Sequence, residues 1–138
     1  MSINMFSRYA IDKEKEQNGV WSEFDLGVGK PWRFRITRTS KRNVEYLKCV
    51  ETVFRPYRKV IDYLDKSVLL KLEMEVFIKS VLKEWQNVTN EKGEPLELNL
   101  ENAMFIFEKL PDVYDTLKED SENSKLFLEE EIKEDSKN

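Results

Sequence analysis

Ser67–Gln86, SVLLKLEMEVFIKSVLKEWQ, decides how the rest of the chain must be arranged. Leu70, Met74, Phe77, Val81 and Trp85 follow one another at three- and four-residue steps, the repeat of a single helix face. The spacing predicts a helix reaching about Gln86, with Asp65 or Ser67 able to cap its start. Leu69, Leu72, Val76, Ile78 and Leu82 carry the apolar surface beyond one stripe. Such a helix has to be contacted on two sides, so the core is expected to form around it.

Upstream, WRFRITR places Trp32, Phe34 and Ile36 on one face and Arg33, Arg35 and Thr37 on the other, the alternation of a half-buried strand. The stretch from Tyr9 reads as β structure, with Asn18-Gly19 as a two-residue hairpin turn ahead of VWSEF. Gly27, Gly29 and Pro31 mark a loop over Asp25–Pro31. From Asn43 the period changes: Val44, Leu47, Val50 and Phe54, with Tyr46, predict a helix that ends or kinks at Arg55-Pro56. Downstream, NEKGEP (90–95) is a turn, and Asn99 caps a short helix over Ala103–Phe107. Pro111 opens another helix, from about Asp112 to Lys118, and a last helix is expected from Ser121 to Lys133. The reading is a single α+β domain over 1–138, with a short N-terminal β-hairpin or three-strand sheet (9–38), a mainly α-helical body (43–133) and a fraying end (134–138).

Composition closes most chemistry. The 138 residues are 36% charged and 40% hydrophobic, enough for one modest core. Zero histidines remove the commonest general base and metal ligand, and one cysteine, Cys49, excludes an internal disulfide. No apolar run approaches the roughly 18 to 20 residues of a membrane span, and the start lacks the layout of a signal peptide, so a cytosolic, membrane-free protein is expected. The net charge of -4 hides a polarity: Lys30–Lys59 carries ten Lys/Arg against two acids, whereas Thr89–Asn138 carries six Lys against fifteen acids. Asymmetry of this kind steers association with charged partners.

Candidate sites thin out on inspection. The acids Glu129, Glu130, Glu131, Glu134 and Asp135 lack the alternating ligands and glycine of a calcium loop and read as a solvated face. Cys49 has no histidine to activate it and reads as a small apolar side chain. Gly27-Val28-Gly29-Lys30 is no phosphate loop, because Pro31 and a strand follow where a helix is required. The basic stretch Arg33, Arg35, Arg38, Lys41, Arg42, Arg55 and Arg58, interleaved with Trp32, Phe34, Tyr46 and Tyr57, has the residue types of a nucleic-acid surface. Its arginines can equally cover aromatic faces and pair with the chain's own acids. No catalytic, cofactor or metal residues emerge, and the chain is expected not to be an enzyme.

The order of several short motifs resembles tail assembly chaperones of long-tailed, siphovirus-like bacteriophages. Asn18-Gly19-Val20-Trp21, Trp32–Arg38, Asn43–Tyr46 and Arg55-Pro56-Tyr57-Arg58 are similar to the first half of that pattern. Trp85–Val88, Gly93–Leu96, Glu101-Asn102-Ala103 and Leu110–Tyr114 are similar to the second. Asn99-Leu100 departs from the threonine- or serine-proline cap common there, and the end after Phe127 is unusually acidic. The resemblance implies a non-enzymatic factor of virion morphogenesis that works in the host cytoplasm as an oligomer. It implies binding to the tape-measure protein, assistance to the tail tube protein, and absence from the mature virion. It also implies a longer companion product made by frameshifting.

On this reading the partner-binding residues are Leu70, Met74 and Phe77 of the central helix and Phe105, rimmed by Arg33, Arg35, Arg38 and Arg58. The rival readings are a structural virion protein, as a tail-completion or head-tail connector component, and behind it a small nucleic-acid-binding regulator.

Overall fold

A computed structural model of the chain describes residues 4–129. Two short helices, α1 (Met5–Tyr9) and α2 (Lys13–Asn18), precede an antiparallel pair, β1 (Val20–Phe24) and β2 (Trp32–Ile36). Helix α3 (Val44–Phe54) follows, then 3-10 turns at Arg55–Tyr57 and Ile61–Tyr63, and the central helix α4 (Lys66–Ser80). Strand β3 (Leu82–Gln86), α5 (Leu100–Lys109) and α6 (Pro111–Glu122) complete the body, and a 3-10 turn at Ser124–Phe127 closes it. The sheet runs β1-β2-β3, all antiparallel. The α+β class expected from the sequence is the class observed.

Local chemistry accounts for the caps. Asn43 accepts from the Tyr46 N–H at the start of α3, Asn99 from the Asn102 N–H at the start of α5, and Pro111 occupies the first turn of α6. The 90–95 turn is present, with the Gly93 N–H donating to the Asn90 carbonyl at 3.0 Å.

Four expectations are corrected. Lys13–Asn18 is a helix, because Asp12 accepts from the Glu14 and Lys15 N–H groups and the segment is built of good helix formers. Asn18-Gly19 is therefore not a hairpin turn: Gly19, at φ 87°, ends α2, and its N–H donates to the Lys15 carbonyl. The hairpin turns instead through Asp25–Pro31, with Gly27 and Gly29 at positive φ. The central helix stops at Ser80, and Leu82–Gln86 is the third strand, paired to β2 as Phe34↔Trp85 and Arg35↔Glu84. The expected helix at Ser121–Lys133 does not form over its described part. Helix α6 runs to Glu122, and Leu128 pairs with Ile11 as an isolated antiparallel bridge. Residues 130–138, including the end expected to fray, lie outside the described residues.

The main core joins the inner sheet face to α4, α5 and α6. Phe34, Ile36 and Trp85 meet Met74, Phe77 and Ile78 of α4, Ile106 and Phe107 of α5, and Tyr114 and Leu117 of α6. Aromatic rings interlock there, Phe34 edge-on to Trp85 at 6.1 Å and Phe77 edge-on to Tyr114 at 5.4 Å. A second cluster packs Leu72 and Val76, on the opposite side of α4, against Val53 of α3. The central helix is thus contacted on two sides, as its apolar width required.

Gly19 holds the α2–β1 junction against β2: a Cβ placed there would lie 2.4 Å from the Ile36 carbonyl oxygen. Gly19→Ala is expected to lower unfolding free energy by about 2 kcal/mol or more, through both strain and clash. Gly27→Ala, whose Cβ would enter open space, should cost about 1 kcal/mol. Urea midpoints check the order, and a Gly19→Ala midpoint equal to wild type would refute the close approach.

Candidate partner-binding surface

The alternation that buries Phe34 and Ile36 turns Arg33 and Arg35 to the outer sheet face, beside Trp21 and Glu23 of β1 and Glu84 and Gln86 of β3. The arginines are engaged there. The Arg33 guanidinium lies 4.3 Å from the centre of the Trp21 ring and donates to Gln86 Oε1 at 2.7 Å. Arg35 pairs with Glu84 at 3.2 Å and donates to the Asn18 carbonyl. Arg38 pairs with Glu16 of α2 at 2.8 Å, with both side chains mostly covered. Arg58 belongs elsewhere: it pairs with Glu51 of α3, which Arg55 also approaches at 3.5 Å. Hydrogen bonding and charge from Arg58, and then from Arg55, hold the Glu51 carboxyl below the usual carboxylate range. These pairings are the self-satisfied alternative foreseen for the basic stretch, and they place Arg58 on a different element from Arg33, Arg35 and Arg38.

The apolar candidates divide differently from expectation. Met74 and Phe77 are core residues, 4% and 3% exposed, and offer nothing to a partner without opening the fold. Phe105 is half-buried against the same core. Ala103, Ile106 and Phe107 are buried, so the inner face of α5 is no docking face. Leu70 alone of the four stands well exposed, at 45%. The width of α4 that suggested an external partner is met inside the molecule by α3.

Besides those on α1 (Met5, Phe6, Tyr9) and in the β1–β2 loop (Leu26, Val28), large apolar side chains remain exposed on the α3–α4 hairpin. The two helices run antiparallel, since Glu45 at the start of α3 pairs with Lys83 just beyond α4, and Cys49 faces Val76. Val44 and Leu47, one turn apart on α3, are exposed, as are Val60 and Tyr63 in the link and Leu70 on α4. Tyr63 is the most exposed of these five, at 87%. Val60 and Tyr63 escaped the sequence reading because they fall between helical patterns, in a link that also holds Tyr57, Ile61 and Leu64 and so gives no signal of which side chains face outward.

Among the described residues no group of His, Cys, Asp and Glu is placed to hold a metal ion, and no helix is long and apolar enough to cross a membrane. The acids Glu130, Glu131, Glu134 and Asp135 lie outside those residues. Cys49 is half-buried with its Sγ 3.8 Å from the Val76 carbonyl oxygen. Burial pushes its thiol up, against a smaller lowering by a hydrogen bond with Ser80.

With the geometry in view, comparison with known proteins gives a family match. The family model described as YdaY prophage protein matches residues 40–138. The chain belongs to that family. The match takes in α3, α4, β3, α5 and α6 and leaves the β1–β2 hairpin outside it, so the exposed α3–α4 residues lie in the family region. Membership makes this a prophage-derived protein. No curated protein and no solved structure matches it.

The raised Cys49 thiol gives a direct check. At pH 8 less of it is thiolate than of free cysteine, so iodoacetamide should modify the folded protein more slowly than cysteine. The difference should vanish in urea. Equal rates for the folded protein and free cysteine would contradict the buried placement.

Proposed function

We propose that this prophage-derived protein is a non-enzymatic assembly factor for long phage tails. On this reading it acts in the host cytoplasm, binds the tape-measure protein, assists the tail tube protein, and is left out of the mature virion. The observation that carries the reading is the exposed apolar set on the α3–α4 hairpin, Val44, Leu47, Val60, Tyr63 and Leu70, in a chain that is otherwise 36% charged. A long unassembled helix with apolar stripes is an aggregation hazard, and a helical hairpin with apolar side chains outward can cover such a stripe by helix-to-helix packing. The tail-chaperone resemblance supports the same class of work, and the prophage family agrees with a phage origin. The apolar contact is shifted from the inward residues Met74 and Phe77 to the outward ones. Charges around it contribute orientation and association rate more than affinity.

A structural virion component is the second reading, supported by the sheet. Among the described strands β1 pairs on one side only, with β2, and a neighbour could add a strand to its other edge.

Co-expression with the tape-measure protein of the same prophage tests the first reading. Wild type should raise the soluble fraction of the tape measure, and a Leu47→Asp, Tyr63→Asp double variant should lose co-purification on the order of tenfold or more. Circular dichroism should remain unchanged, because both side chains already face water. No effect of wild type on tape-measure solubility would sink the proposal. Mass spectrometry of purified particles separates the two readings: stoichiometric presence selects the virion component, and absence agrees with a chaperone.

A further inference from the structure

Helix α1 is closed by a full capping box: the Asn4 side chain accepts from the Ser7 N–H, and Ser7 Oγ accepts from the Asn4 N–H. Yet none of its residues is buried. Met5 and Tyr9, one turn apart, and Phe6 beside them put an apolar face into solvent, with Phe6 83% exposed. A helix this short owes its place in a fold to packing more than to its own hydrogen bonds. The face of α1 has no such packing inside the subunit, so it is open to a contact from outside.

Beside α1 the molecule is concave and basic. A cavity of about 320 Å³ has Tyr9, Ile11 and the buried Leu128 as its apolar lining. Its charged lining is wholly cationic: Arg8 of α1, Arg38 and Arg42 from the segment after β2, and Lys125 from the closing 3-10 turn. Arg38 is held by Glu16 at 2.8 Å. Arg8, Arg42 and Lys125 join no ion pair among the described residues. On the outer sheet face Arg33 and Arg35 are answered by neighbours; here three cations from three parts of the chain are not. A cleft lined by one sign of charge focuses its field on a group of the other sign.

The surroundings narrow the occupant. Glu14, on the first turn of α2, and Glu129, next to Leu128, are exposed, so a nucleic-acid strand longer than the cavity meets like charge beyond it. A flat bilayer does not enter a concavity. A short stretch of protein with carboxylates on either side of an apolar side chain suits both the cations and the apolar lining.

We infer that α1 and the basic cavity form a docking surface for an acidic segment of a partner protein, its carboxylates on Arg8, Arg42 and Lys125 and a large apolar side chain against Phe6, Tyr9 and Ile11. The surface lies on α1 and the closing turn rather than on the α3–α4 hairpin, so it stands independently of the tail-assembly reading.

A capped Glu-Glu-Leu-Phe-Glu-Glu peptide, and its counterpart with Gln at every Glu, test it when titrated into the full chain while the amide resonances of Tyr9 and Lys125 are followed. The acidic peptide should give saturable shifts that weaken as salt is raised, and the Gln peptide should bind about tenfold more weakly or worse. An Arg42→Glu, Lys125→Glu double variant should lose about tenfold or more in affinity for the acidic peptide. Its circular dichroism should match wild type, because both side chains are exposed. Phe6→Ser should also weaken the acidic peptide, through the apolar contact alone. No saturable shifts with the acidic peptide would overturn the surface, as would equal binding of the Gln peptide or an unchanged affinity in the double variant. A short thymidine oligonucleotide and phosphatidylglycerol vesicles complete the set: tighter binding of either than of the acidic peptide would overturn the assignment to a protein segment.

Discussion

Everything in this fold answers to the need of α4 to be buried on two opposite sides. Met74, Phe77 and Ile78 face the sheet and the C-terminal helices, and Leu72 and Val76 face α3. Each buried side chain of this size is worth about 1.5–3 kcal/mol relative to exposure, so neither side could be left to water. The small sheet supplies a cover for one side only. The 3-10 turns after Phe54 bring the chain back so that α3 can supply the other. Because the demand is met within one subunit, apolar width in the sequence is a poor guide to where a partner binds. The side chains that remain outside are those α4 does not need.

The helix starts at Asn99 and Pro111 were legible because their signals are local, acting through backbone groups within three residues. Asp65 stands at the N-cap of α4 as expected, but its side chain makes no capping hydrogen bond. Strand β3 was hidden by a coincidence of periods. The pairing of β2 with β3 is irregular between Arg35 and Ile36, so that Lys83 is extra and Leu82 and Trp85, three apart, both reach the core. That spacing continues the helical step of Leu70, Met74, Phe77 and Val81, and the sequence offers no glycine or proline where α4 gives way to strand. Lys13–Asn18 failed for the opposite reason: it carries no apolar period at all, and Asn-Gly serves a helix end as well as a hairpin.

The candidate surface was legible in kind and not in place. A sum of charges along Lys30–Lys59 is visible in one dimension, but Glu16, Glu84 and Gln86, which answer Arg38, Arg35 and Arg33, come from distant parts of the chain. The residues expected to rim a docking site therefore brace the sheet and tie α2 to it.

The bridge between Ile11 and Leu128 sets an order of events for the newborn chain. Asp12 donates its N–H to the Phe127 carbonyl and Glu129 donates to the Ala10 carbonyl, closing a loop of nearly the whole polypeptide. Closure of so long a loop is entropically costly until the intervening elements have condensed and shortened the distance. Phe127, fully buried in the finished molecule, leaves the ribosome after every helix of the body has been made. During synthesis the Ala10–Asp12 segment must wait for its backbone partners until that ring arrives, although Glu16 of α2 can already pair with Arg38.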